Sequence, residues 1–145
     1  MKPTFILILL SFLLLSNTCN KKTENCHKAI TFINNSDKEL YVTRSWNYPD
    51  TISFAGIPNP ALDPNFSKVN SHEKNTRALW GRDCYEVLFG SELYNYQDTL
   101  MVFVFDAQVL ENTDWETVKQ QYLILKRYDL SLEDLRNMDW TIEYP

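Results

Sequence analysis

Thr99-Leu100-Met101-Val102-Phe103-Val104-Phe105 is the stretch that decides the fold of this chain. Successive side chains of a strand point to opposite faces, so a half-buried strand alternates apolar with polar residues. Here both faces are apolar, which predicts a central strand covered on both sides, for example by a second sheet and a helix. Upstream of it, residues 76–80 and Cys84-Tyr85-Glu86-Val87-Leu88-Phe89 read as two strands about the turn Gly81-Arg82-Asp83, where glycine admits a tight bend. Further upstream, Ala29-Ile30-Thr31-Phe32-Ile33 and Glu39-Leu40-Tyr41-Val42-Thr43 are β-rich, alternating runs on either side of the polar cluster Asn34-Asn35-Ser36-Asp37, a pattern that predicts a hairpin. Between these two pairs, Pro49, Pro58, Pro60 and Pro64 break any regular element over residues 46–67. Trp46, Tyr48, Phe54 and Phe66 suit this segment to a long loop packed by its own aromatics. Phe66-Ser67-Lys68-Val69-Asn70 reads as a short strand at its end.

Downstream of the decisive run, Thr113 with Glu116 three residues later forms a capping-box pattern and predicts a helix to about residue 121. Tyr122-Leu123-Ile124-Leu125-Lys126-Arg127-Tyr128 follows as a strand. Ser131 then caps a second short helix carrying Leu132 and Leu135, with Glu133 and Asp134 in the first turn where the helix dipole favours them. Trp140-Thr141-Ile142-Glu143-Tyr144 closes the chain as a strand. The expected fold is mainly β, of the β-rich α+β class: an antiparallel β-sandwich of about seven strands with two short C-terminal helices. A small α+β roll is the other arrangement these elements allow.

The N-terminus carries an address. Lys2 precedes an apolar run from Phe5 to Leu15 interrupted only by Ser11, and polar residues follow, which is the layout of a secretory signal over residues 1–18. A bilayer-spanning helix needs about 20 mostly apolar residues, and the run ends short of that. Just beyond it, Leu15-Ser16-Asn17-Thr18-Cys19 looks like a loose lipobox, with Cys19 as the residue that takes the lipid. Asn17 and Thr18 are larger and more polar than such a box prefers, so ordinary cleavage to a secreted chain is the alternative. Several acyl chains on Cys19 would hold the protein firmly, since one alone binds reversibly. Residues 19–25 are polar and without periodicity, a tether to a single β-rich domain over residues 26–145. With Cys19 acylated, Cys26 and Cys84 remain as a pair in an oxidising compartment, where a disulfide is expected; two unpaired thiols are the alternative.

The C-terminal third, with Asp106, Val109-Leu110-Glu111-Asn112-Thr113, Trp115, the run from Tyr122 to Leu130 and Trp140-Thr141-Ile142-Glu143-Tyr144-Pro145, resembles small uncharacterised lipoproteins of Bacteroidetes, with a weaker echo over residues 30–48. The resemblance implies a cell-envelope lipoprotein, anchored to the outer membrane, and no catalytic residue. Relaxed lipoboxes are tolerated in that phylum. Its surface-export signals are acidic, whereas Asn20-Lys21-Lys22-Thr23-Glu24 starts basic, which leans toward the periplasmic side. Asp50-Thr51-Ile52 and Asp98-Thr99-Leu100 are similar to the phylum's O-glycosylation motif and mark Thr51 and Thr99.

Composition excludes several chemistries. A formal net charge of −5 argues against nucleic acid and against an anionic membrane surface as partners, because both attract basic patches. The three glycines, Gly56, Gly81 and Gly90, lie too far apart for a phosphate loop. No Gly-x-Ser-x-Gly elbow accompanies the two histidines, His27 and His72, and Cys26 beside His27 is a poor metal set. The acidic turn around Asp106 and the surroundings of Asp63 are the places left open to calcium, though neither has EF-hand spacing. No cofactor or metal is expected. Glu86, Glu92, Asp98 and Asp106 fall near strand ends and are the carboxylates a small secreted hydrolase would have to bring together in the fold. The favoured expectation is a non-catalytic binding module. Trp46, Tyr48, Tyr94 and Tyr96 are its candidate contacts to a protein or glycan partner, because such rings offer contact area at low entropic cost. Capping of the open end of the sandwich is the competing role for Trp46 and Tyr48.

Overall fold

The computed structural model describes residues 25–49 and 57–145. Seven strands among them, β1 (Ala29–Asn34), β2 (Leu40–Ser45), β3 (Lys68–Val69), β4 (Lys74–Trp80), β5 (Leu100–Asp106), β6 (Lys126–Leu130) and β7 (Thr141–Tyr144), form two sheets. One has the order β4-β1-β7 and the other β3-β2-β5-β6. The short helices among the described residues are α1 (Pro64–Ser67), α2 (Tyr85–Leu88), α3 (Ala107–Asn112), α4 (Trp115–Gln120) and α5 (Leu132–Asn137), with a 3-10 turn at Pro60–Leu62.

The double-faced run behaves as its pattern demands. β5 lies between β2 and β6, and Leu100 to Phe105 are all buried. Its even-numbered side chains, Leu100, Val102 and Val104, join Leu40 and Val42 of β2 against Ile30 and Phe32 of β1, Leu79 of β4 and Ile142 of β7. That cluster is the core between the sheets. The odd-numbered side chains, Met101, Phe103 and Phe105, join Tyr41 in a second cluster on the outer face, covered by Ala107 and Leu110 of α3, Val118 of α4 and Ile57. The molecule is therefore a β-rich sandwich with helices over one outer face.

Several local readings change. β1 and β2 do not form a hairpin: they belong to opposite sheets, and β1 pairs antiparallel with β4 and parallel with β7. Alternation fixes which side chains face a core, and two strands facing each other across that core alternate in the same way as two neighbours would. The crossing is held by the buried Asn34. Its Nδ2 donates to the carbonyls of Lys38 at 2.6 Å and Asn70 at 3.0 Å, while its Oδ1 accepts from the Ser36 amide at 3.0 Å and hydroxyl at 2.7 Å.

Cys84 to Phe89 is a helical turn rather than a strand, because Tyr85 and Leu88, three apart, both reach the core while Val87 points outward. Phe66 and Ser67 belong to α1, which leaves only Lys68–Val69 as strand. The helix after Thr113 is capped by Asp114, whose carboxylate accepts from the Thr117 amide, and a further helix, α3, precedes it, so three helices occupy the C-terminal part rather than two. Tyr122 turns the chain at φ 53°, and Leu123 and Ile124 pack on the outer cluster, so β6 begins at Lys126, later than composition suggested. Ser131 does cap α5, in a full capping box with Asp134.

Candidate functional site

The chain enters the domain at a reinforced corner. Cys26 and Cys84 form a disulfide with their Cα atoms 5.0 Å apart. One residue on, the Glu86 carboxylate accepts from both the His27 backbone amide at 3.0 Å and the imidazole Nδ1 at 2.5 Å. The imidazole stacks on Trp140, with ring centroids 4.1 Å apart and planes within 13°. Trp140 holds a left-handed φ of 56°, rare for a bulky side chain; Asp139 before it lies at 49°. That backbone carries the buried indole back toward the N-terminal segment, and the Trp140 amide donates to the Leu135 carbonyl. Backbone bonds complete the corner: the Tyr85 amide donates to the His27 carbonyl and the Gly81 amide to the Lys28 carbonyl.

Glu86 is the most tightly held carboxylate here, its side chain 10% exposed. Burial pushes its pKa up, but the bonds from the His27 ring and amide outweigh that and hold it below the ordinary carboxylate value of 4.5. A carboxyl depressed in the folded state contributes stability above its unfolded value, and that contribution is lost as pH falls through the lower folded value. Glu86→Gln is therefore expected to lower the urea midpoint clearly at pH 7 and to converge on the parent well below pH 4.5. A gap that stays constant across that range would remove the ion pair from the account.

The aromatic candidates divide. Trp46 is buried, 8% exposed, stacked on Tyr96 at 4.9 Å with planes within 6°, and set edge-on to Phe89. It fills the end of the inter-sheet core. Tyr94 stacks on the other side of this group, 5.4 Å from Tyr96, and its hydroxyl donates to Asp83 at 3.1 Å, while 41% of its surface remains exposed. Tyr48 is elsewhere, 40% exposed beneath the guanidinium of Arg127, 6.0 Å from the ring centre. Thr99 is partly buried immediately before β5. Cys19 and Thr51, with the signal segment and all of the tether before Asn25, lie outside the described residues.

The carboxylates that a hydrolase would need are drawn apart. Glu86 serves His27. Asp106 caps α3 through the Gln108 amide and accepts from Lys38 Nζ at 2.7 Å, and that lysine bond holds its pKa low. Asp98 lies against Gly90, where φ is 65° and an added Cβ would collide with the carboxylate. Glu92 is exposed in the 91–98 turn, and Asp63 precedes α1 with no side-chain capping bond. His72 pairs with the exposed Asp37 at 2.9 Å. Among the described residues no three His, Cys, Asp or Glu side chains gather as a metal set, and no helix is long and apolar enough to cross a membrane.

Two hollows flank Asp106. A polar one of about 220 Å³ is lined by Asp37, Lys38, Glu39, Asp106 and Gln108, and a mainly apolar one of about 200 Å³ by Val109, Leu123, Ile124 and Leu125. Neither contains a nucleophile beside a base, and Asp106 between them is already engaged. The architecture thus defines a disulfide-closed β-sandwich with a helical cover. Comparison with known protein families, curated proteins and solved structures finds no match.

The sequence could not announce the His27, Glu86 and Trp140 corner. Its members come from three distant segments, and the disulfide together with the Tyr85–His27 backbone bond brings the first two into register.

Proposed function

We propose that this chain is a non-catalytic lipoprotein of the cell envelope, anchored through Cys19 and presenting its β domain as an interaction module to a protein or glycan partner. One observation supports the non-catalytic part: Glu86, Asp98 and Asp106 are held in different local arrangements, and Asp106, which shares its polar hollow with Asp37 and Glu39, is already engaged by Lys38 and the Gln108 amide. The signal layout and Cys19 support the envelope address. The Cys26–Cys84 disulfide suits a chain that matures in an oxidising compartment.

Intact-mass spectrometry of the protein purified from its native membrane, with and without reduction, tests this reading. A mass equal to residues 19–145 plus acyl chains, rising by two protons on reduction, is expected. An unmodified soluble chain cut near residue 18 would overturn the anchor.

A further inference from the structure

The anchor-side end of the domain concentrates exposed apolar surface. Four of the ten large apolar or aromatic side chains exposed among the described residues lie between Trp80 and Tyr94: Trp80 at 54%, Val87 at 53%, Leu93 at 84% and Tyr94 at 41%. Covalent and hydrogen bonds fasten this segment to the residues where the tether enters. Trp80 pairs with Ala29, Gly81 bonds Lys28, Cys84 is bridged to Cys26, Val87 sits one turn beyond Cys84, and Tyr94 is pinned to Asp83.

From this placement we infer that the Trp80–Tyr94 end of the domain rests on the bilayer that holds its own acyl chains, with Trp80, Val87, Leu93 and Tyr94 at the headgroup level. The inference rests on the lipid-anchor reading.

Reach is the first argument. Seven Cα steps separate Cys19 from Cys26, and an extended chain advances no more than about 3.6 Å per step, so Cys26 stays within about 25 Å of the acylated residue. A partner protein would have to squeeze into that gap to cover this end, whereas the bilayer is already there at high effective concentration. Side-chain chemistry is the second. Trp and Tyr favour the membrane–water interface, where an apolar ring meets a polar edge, and Leu and Val add buried area.

Tryptophan quenching tests the contact. The acylated full chain, its acylation verified by mass, is placed in phosphatidylcholine–phosphatidylglycerol vesicles in which part of the phosphatidylcholine carries brominated acyl chains. Trp46 and Trp140 are buried and Trp115 is partly buried against the outer cluster, so the emission that brominated lipid quenches in the parent and not in Trp80→Phe belongs to the exposed Trp80. The expected result is quenching by the brominated lipid that disappears in Trp80→Phe, with Trp80 shielded from aqueous acrylamide. Leu93→Glu is expected to weaken the lipid quenching without moving the thermal midpoint, since the side chain lies outside the core. Acylated protein whose Trp80 stays open to acrylamide and untouched by brominated lipid would overturn this inference alone. A chain that carries no acyl groups would overturn the anchor and the inference together.

Discussion

Reduction of the Cys26–Cys84 bridge is expected to cost the fold about 4 kcal/mol by the chain-entropy account of a closed loop of this length. The two cysteines are 58 residues apart in sequence. Between them lie β1 to β4, so the bridge ties the start of the first strand to the helical turn that follows the fourth. The loss should exceed the entropy of the cross-link in one respect, because the His27–Glu86 contact depends on the same corner. Urea unfolding of the parent in oxidised and reduced form, beside Cys26→Ser/Cys84→Ser, is the measurement. Reduced parent and double variant should share a midpoint well below that of the oxidised chain. Coincident midpoints for oxidised and reduced protein would show that the corner is held by its other bonds. A double variant far less stable than the reduced parent would place the loss in the serine substitutions rather than in the bridge.

The cysteine pairing and the burial of β5 were both legible in the sequence because each follows from a count or a period. Residues Leu100 to Phe105 leave no polar face to turn toward water, and the outer half of that prediction materialises as Met101, Phe103 and Phe105 under α3 and α4. Tyr122 to Leu125 misled for a related reason. Their aromatic and aliphatic composition suits a strand, but Leu123 and Ile124 pack on the outer cluster while Tyr122 and Leu125 stay exposed, and only from the Leu125 amide, which donates to the Val104 carbonyl, does the chain join the sheet. Local propensity says that such residues want burial and is silent about what covers them. The same gap separates Trp46 from Tyr94. Both are aromatics named as candidate partner contacts, yet one fills the end of the core and the other keeps an open face, a distinction made by Tyr96 and Phe89, which pack against Trp46 from another part of the chain.

Asn34→Ala should destabilise the domain by about 3 kcal/mol, whereas Asn35→Ala, one residue on, should change stability by no more than about 0.5 kcal/mol. In sequence the two are equivalent members of a polar cluster between strands. In the fold Asn34 is fully buried, and its amide donates to the Lys38 and Asn70 carbonyls and accepts from Ser36. Asn35 is exposed, with a side chain that reaches only Glu143 at 3.4 Å. Deleting the first leaves carbonyls without donors in a partly dry site, and that penalty exceeds the modest net worth of the bonds when made. The site is also where the chain leaves one sheet for the other: the Asn34 amide bonds the Glu73 carbonyl and the Asn35 amide bonds the Tyr144 carbonyl, so β1 is already committed to β4 and β7 when it ends. With both flanks of β1 occupied, β2 has to pair elsewhere, and Asn34 ties the crossing segment down as it departs. Asn34→Asp separates these roles. It keeps the acceptor that faces Ser36 but loses the donors and sets a negative charge against two carbonyls, so at pH 7 it should be at least as damaging as alanine. Equal urea midpoints for the Asn34 and Asn35 alanine variants would deny the crossing its anchor and leave the sheet assignment of β1 to the strand pairings alone.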